Sequence, residues 1–167
     1  MPSLEGGAIA ALAHVVIEEG DAVGAQRLAQ EALTLRRKIG NAVGVAASLL
    51  QIGELQWRAG DVAGSRAALE EAVHLLRGQG EGARSQVALG LALLACLPGG
   101  DAKAAEAALR EAGESGDVGD LARVRFLLWQ ATGDLAHLRE AKRGLDFLVE
   151  NAPPEDREAM VKNVRLN

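Results

Sequence analysis

Apolar and polar residues nowhere alternate over a run bounded by turn signals, so the chain predicts no strand. The apolar positions fall instead in blocks rich in alanine, leucine, glutamate and arginine, with β-branched residues scattered among them. Alanine and the straight-chain residues are the best helix formers. Glycine followed by Asp or Asn cuts these blocks apart. Gly20-Asp21, Gly60-Asp61 and Gly100-Asp101 stand 40 residues apart. Gly40-Asn41 lies halfway between the first two, and Gly78 to Gly82 lies near halfway between the next two. Gly116-Asp117 and Gly133-Asp134 continue the series at shorter spacing. Glycine adopts the left-handed conformation that ends a helix, and Asp or Asn then caps the next one. The punctuation predicts helices of about 12 to 18 residues joined by very short turns. Such turns make neighbouring helices antiparallel. The fold class read from this pattern is all-α.

The segments after the Gly-Asp turns resemble one another. A small residue stands four positions after each Asp (Ala25, Ser65, Ala105), and an alanine stands eleven after it (Ala32, Ala72, Ala112). Small residues on one helical face let two helices approach closely, and the large residues between them fill the remaining space.

Together with Leu-Gly-like pairs before the turns, these features resemble the tetratricopeptide repeat. The second repeat carries the likeness best, in Leu49, Ile52-Gly53, Gly60-Asp61, Ser65, Leu69 and Ala72. Gln56 departs from it, standing where that family usually has a large apolar or aromatic residue. The first repeat keeps Ile9, Leu12-Ala13, Val16, Gly20-Asp21, Ala25 and Ala32. The third keeps Gly100-Asp101, Ala105, Leu109 and Ala112 but departs around Leu97-Pro98-Gly99. The fourth is the poorest match, with Phe126 in place of a small residue and Lys142 in place of a large apolar one. The period is nearer 40 than the family's usual 34 residues. The resemblance implies a right-handed α-solenoid of antiparallel helix pairs. It would form one domain over residues 1–167, with repeats at about 5–40, 42–78, 83–115 and 119–150. Long-period versions of the repeat occur in bacterial regulatory and signalling proteins.

The tail reads differently. Asn151-Ala152-Pro153-Pro154 stops a helix, because proline cannot continue one and restricts the residue before it. Pro154-Glu155-Asp156 then opens another, with proline first and acids in the first turn. Met160, Val161 and Val164 make a stripe on that helix over 154–166. It is expected to cap the solenoid, whose end repeat must hide an apolar face. The chain opens directly on a helix and stops at Leu166-Asn167. We expect a piece of a longer protein.

Charge and candidate chemistry narrow the function. The net charge of −5 argues against nucleic acid as partner, since such affinity rests on clustered Lys and Arg. The one basic run, Arg36-Arg37-Lys38, sits just before Gly40, where cations favour the helix dipole. No window reaches the ~18 apolar residues of a membrane span. The longest apolar stretch, Val87 to Leu97, ends at Pro98-Gly99-Gly100. No basic segment of a secretory signal opens the chain. Cys96 is the single cysteine and reads as a buried thiol. A cytoplasmic setting is expected. His14, His74 and His137 lack the spacing of a metal signature. Gly78-Gln-Gly80-Glu-Gly82 lacks the Lys-Ser/Thr ending of a phosphate loop and reads as a hairpin turn. No serine sits in a nucleophile elbow. The expectation is a protein that binds rather than catalyses, without cofactor or metal.

The family register places the first helix of each pair on the concave, binding face. The residues expected there are Ala10, His14, Ile17 and Glu18 in repeat one, and Ala47, Leu50, Glu54, Trp57 and Arg58 in repeat two. Repeat three would add Val87, Gly90, Leu94 and Leu97, and repeat four Asp120, Arg123, Leu127 and Gln130. Trp57 has two readings. It is either an indole anchor of a binding hot spot or a cover for the neighbouring helix that fills the space Gln56 leaves. A mostly apolar groove with a mixed-charge rim suits a peptide or protein partner with an apolar stripe. Self-association into a homodimer is the alternative.

Overall fold

The structure, a computed structural model, describes residues 22–113 and 116–157 apart from Asp156. Among them are seven α-helices and no strand. They are α1 (Ala22–Lys38), α2 (Ala42–Arg58), α3 (Val62–Arg77), α4 (Arg84–Cys96), α5 (Ala102–Ala112), α6 (Val118–Thr132) and α7 (Leu135–Asn151). A 3-10 turn, Glu81–Ala83, leads into α4. The first helix of repeat one, the Gly20-Asp21 turn and all but the opening of the capping helix lie outside the described residues.

The turn chemistry works as the sequence pattern requires. Gly40 and Gly60 take φ of +69° and +84°. Behind Gly60, the N–H of Asp61 donates to the Gln56 carbonyl at 2.9 Å, while that of Gly60 donates to Trp57 at 3.0 Å. Asn41 and Gly40 repeat the arrangement on Arg36 and Arg37. This pair of bonds satisfies the last carbonyls of the helix. The residue after the glycine then caps the next helix. Asn41 Oδ1 accepts from the Gly44 N–H at 2.8 Å, and Asp61 Oδ1 from the Gly64 N–H at 2.9 Å. Asp101, Asp117 and Asp134 cap α5, α6 and α7 in the same way. One residue therefore closes one helix and opens another.

The small residues lie where helices meet. Ala25, Ala32, Ser65, Ala72 and Ala105 are fully buried, and Ala112 is nearly so. Gly53 shows why size matters. A Cβ built there would stand 2.6 Å from Leu69 Cγ and 3.3 Å from the Ser65 carbonyl oxygen. Gly90 is as tight, with Val73 Cγ2 at 2.6 Å. In the last hairpin, Ala141 is fully buried, and Gly144 lies so close to Ala122 that a Cβ would stand 2.9 Å from that methyl. Around these contacts Leu69, Leu76, Leu93 and Leu128 fill the core. Each helix packs on its successor, and α4 also packs along α6.

The third repeat turns differently. α4 ends at Cys96, Leu97 is extended, and the left-handed glycine is Gly99 rather than the residue before Asp101. Gly100 packs instead against backbone, where a Cβ would stand 2.3 Å from the Leu94 carbonyl oxygen. Pro98 has no N–H to continue the helix. The turn takes four residues (97–100) where the α2–α3 turn takes two (59–60).

Gly53→Ala is expected to destabilise the fold by about 1–3 kcal/mol, although alanine is the better helix former by about 1 kcal/mol. Gly78→Ala, with φ of −89° and nothing near the added methyl, is expected to be neutral or to stabilise by about 0.4–1 kcal/mol. Urea denaturation midpoints of the two variants check the contrast. Equal midpoints would show that the α2–α3 approach tolerates a methyl.

Candidate functional site

A cleft of about 450 Å³ runs across α2, α4 and α6, which are the first helices of their hairpins. Its apolar wall is Leu50, Leu55, Leu89 and Leu93. Its polar edge carries Arg36, Gln51, Glu54, Arg58, Gln86, Asp120 and Arg123. One face of α2, stepping by three or four residues from Ala47 through Leu50, Gln51 and Glu54 to Arg58, supplies nearly half of the lining. That spacing is one stripe of a helix.

The charged groups are joined rather than scattered. Arg58 donates from Nη2 to Glu54 Oε1 at 2.9 Å, one turn back on the same helix. Arg123, from α6, donates from Nη2 to Glu54 Oε2. The Glu54 side chain is 15 % exposed, Arg123 38 % and Arg58 58 %. One shielded carboxylate thus holds two partly solvated guanidinium groups, one of them from across the cleft. At the end nearest α1, Arg36 Nη1 donates to Ser48 Oγ at 2.7 Å and to the Gly44 carbonyl at 3.2 Å. Glycine at 44 makes this reach possible, because a Cβ there would stand 3.0 Å from Arg36 Cδ. Burial lowers the Arg36 pKa from its ordinary value. The basic run of α1 therefore does more than meet a helix dipole: Arg36 crosses to α2, and Arg37 pairs with Glu71 of α3 at 2.8 Å.

Asp120 sits in the first turn of α6 and accepts from Ser85 Oγ at 3.2 Å. Loss of solvent raises the pKa of its carboxyl from the ordinary value. The Ser85 hydrogen bond and the charge of Arg123 oppose that rise, and the charge of Asp117 adds to it. Gln86 Oε1 is buried without a protein hydrogen-bond partner, an uncommon state for a polar atom in a folded chain.

Of the residues expected on the binding face, Ala47, Leu50, Glu54, Arg58, Asp120 and Arg123 line this cleft. Trp57, Leu94 and Leu127 do not. All three pack with the hydrophobic core, Trp57 and Leu94 partly buried and Leu127 fully so. Gln130 is exposed outside the cleft. Ala10, His14, Ile17 and Glu18 lie outside the described residues. In repeat three the lining residues are Gln86, Leu89 and Leu93, each one position before Val87, Gly90 and Leu94. Counted back from the capping Asp, the face of α4 is displaced by one residue relative to those of α2 and α6. Arg36 was also missed. It belongs to a second helix of a pair, and only its place one turn from the Gly40 end signals that it can reach α2.

Elsewhere, the Cys96 thiol donates to the Leu127 carbonyl at 3.4 Å, and burial raises its pKa to about 11. A thiol so held is a poor nucleophile. His137 Nε2 lies 3.5 Å from Glu106 Oε1, between α7 and α5. Among the described residues no three His, Cys, Asp or Glu side chains converge as metal ligands. Nor, among them, is any helix long and apolar enough to cross a membrane.

Because the folded Asp120 carboxyl holds its proton above the unfolded pKa, its contribution declines as pH rises from the unfolded value through the folded one. Asp120→Asn keeps an acceptor for Ser85. It is expected to be more stable than the parent chain at neutral pH and to lose that advantage below the ordinary carboxylate range. Urea midpoints at the two pH values check this, and a difference that does not change with pH would contradict it.

Compared with known proteins, the chain matches no family model and no curated protein, so its role has to be read from the cleft itself.

Proposed function

We propose that the chain is a helical-repeat interaction module, a right-handed solenoid of the tetratricopeptide type. It binds a peptide or a partner protein in the cleft across α2, α4 and α6. The observation that carries this reading is the lining: alternate helices of successive hairpins contribute to one concave, apolar-walled surface. A concave site of this size, mostly apolar with a few placed polar groups, is the usual form of a binding site. The paired charges at its edge give orientation more than affinity. The module acts by binding and not by catalysis, in the cytoplasm, as one part of a larger bacterial regulatory or signalling protein.

Self-association is a second reading, favoured by one observation. Leu135 and Phe147 of α7 are both more than half exposed. Sedimentation velocity over a wide concentration range separates the two. A species that stays monomeric counts against self-association.

Ala47 lines the cleft and is only half-buried, so the cleft can be filled there with little harm to the core. A random-peptide phage library panned on the full chain is expected to yield binders whose affinity falls roughly tenfold or more in Ala47→Trp. Circular dichroism should show unchanged helicity. If no selected peptide is sensitive to Ala47→Trp in a folded variant, the cleft is not the binding face.

A further inference from the structure

The cleft has a charge balance opposite to that of the chain. Among the described residues, three arginines line it (Arg36, Arg58 and Arg123) against two carboxylates, Glu54 and Asp120, while the whole chain carries a net charge of −5. The donors are unevenly used. A guanidinium has five N–H groups in a planar fork suited to carboxylates. Arg58 and Arg123 each give one bond to Glu54, and both side chains keep solvated surface facing the cleft. The carboxylate between them is the more shielded partner. Such an arrangement has unspent capacity for one more acceptor, placed above the leucine wall of Leu50, Leu89 and Leu93.

We infer that the occupant of the cleft is an apolar segment of a partner protein bearing one acidic side chain, which Arg58 and Arg123 hold in common with Glu54. This rests on the cleft reading given above. In the free protein Glu54 occupies the arginine pair alone, tying α2 to α6. On binding, the partner's carboxylate joins or displaces it, so Glu54 acts as a competitor built into the site. Specificity follows from both signs. A lysine at that point of the partner would meet two guanidinium groups, and like charges so close oppose association. Asp120, on the Ser85 side, is the one other carboxylate that lines the cleft among the described residues.

The panned peptides give the test. Those sensitive to Ala47→Trp are expected to carry Asp or Glu among apolar residues. Changing that acid to its amide should weaken binding roughly tenfold, about 1.4 kcal/mol. Arg123→Gln and Arg58→Gln should do the same, with losses that do not add to the loss from the peptide amide. Glu54→Gln should tighten the acidic peptides. Cleft-dependent peptides that bind equally well as amides, or that are enriched in lysine, would overturn the inference and leave the cleft reading standing. A dimer that Ala47→Trp abolishes would place a second copy in the cleft and overturn it too. Absence of any cleft-dependent peptide would remove the cleft reading itself.

Discussion

Two helices can run at short range only where neither places a side chain between the backbones, and this condition governs the molecule. Gly53 over Leu69 and Ser65, Gly90 over Val73, and Gly144 over Ala122 are three cases of it. At each, the missing Cβ is the space the neighbour fills. The buried alanines of α1, α3 and α5 extend the same condition along the hairpins. Dispersion contacts fade steeply with small gaps, so the leucines between these points pack well only because the backbones are already close.

The cleft is a product of that packing. Small residues draw the second helices tightly against the first, and the first helices then present their remaining stripe together. On α2 the stripe carries Ala47, Leu50, Glu54 and Arg58, and its neighbours on α6 are Asp120 and Arg123. Counted back from the capping aspartates, Asp120 stands where Ala47 does and Arg123 where Leu50 does. Equivalent positions of two repeats thus hold an apolar pair on one side of the cleft and a charged pair on the other. The Glu54–Arg123 contact follows from this, since it needs both helices in one register. A pair whose guanidinium is partly solvated adds only modestly to stability on its own, so its interest lies in orientation.

Much of this was legible in the sequence because its causes are local. A glycine with positive φ followed by a capping Asp or Asn is a two-residue signal, and it located the turns after α1 and α2. The offsets of Ala25, Ser65 and Ala105 marked the buried face for the same reason. What failed to read was set at longer range. Pro98 and Gly99 lengthened one turn, and the face of α4 moved by one residue, so Val87, Gly90 and Leu94 gave way to Gln86, Leu89 and Leu93. Trp57 follows the cleft stripe by spacing but stands at the end of its helix, where the core can take the indole. Arg36 depends on the bare backbone of Gly44, a neighbour visible only in three dimensions.

The doubled duty of Asn41 and Asp61 has a mechanical consequence. Each helix end there shares its terminal hydrogen bonds with the start of the next, so neither α1 and α2 nor α2 and α3 can fray separately. Between α3 and α4 no such sharing exists. Gly78, Gly80 and Gly82 are exposed, and the 3-10 turn and α4 that follow begin without a side-chain cap. Of these three joints the one between α3 and α4 is therefore the most compliant. Load applied along α1 to α4 would be taken up near Gly80 before the other two turns, letting the wall of the cleft that belongs to α4 shift against the wall that belongs to α2.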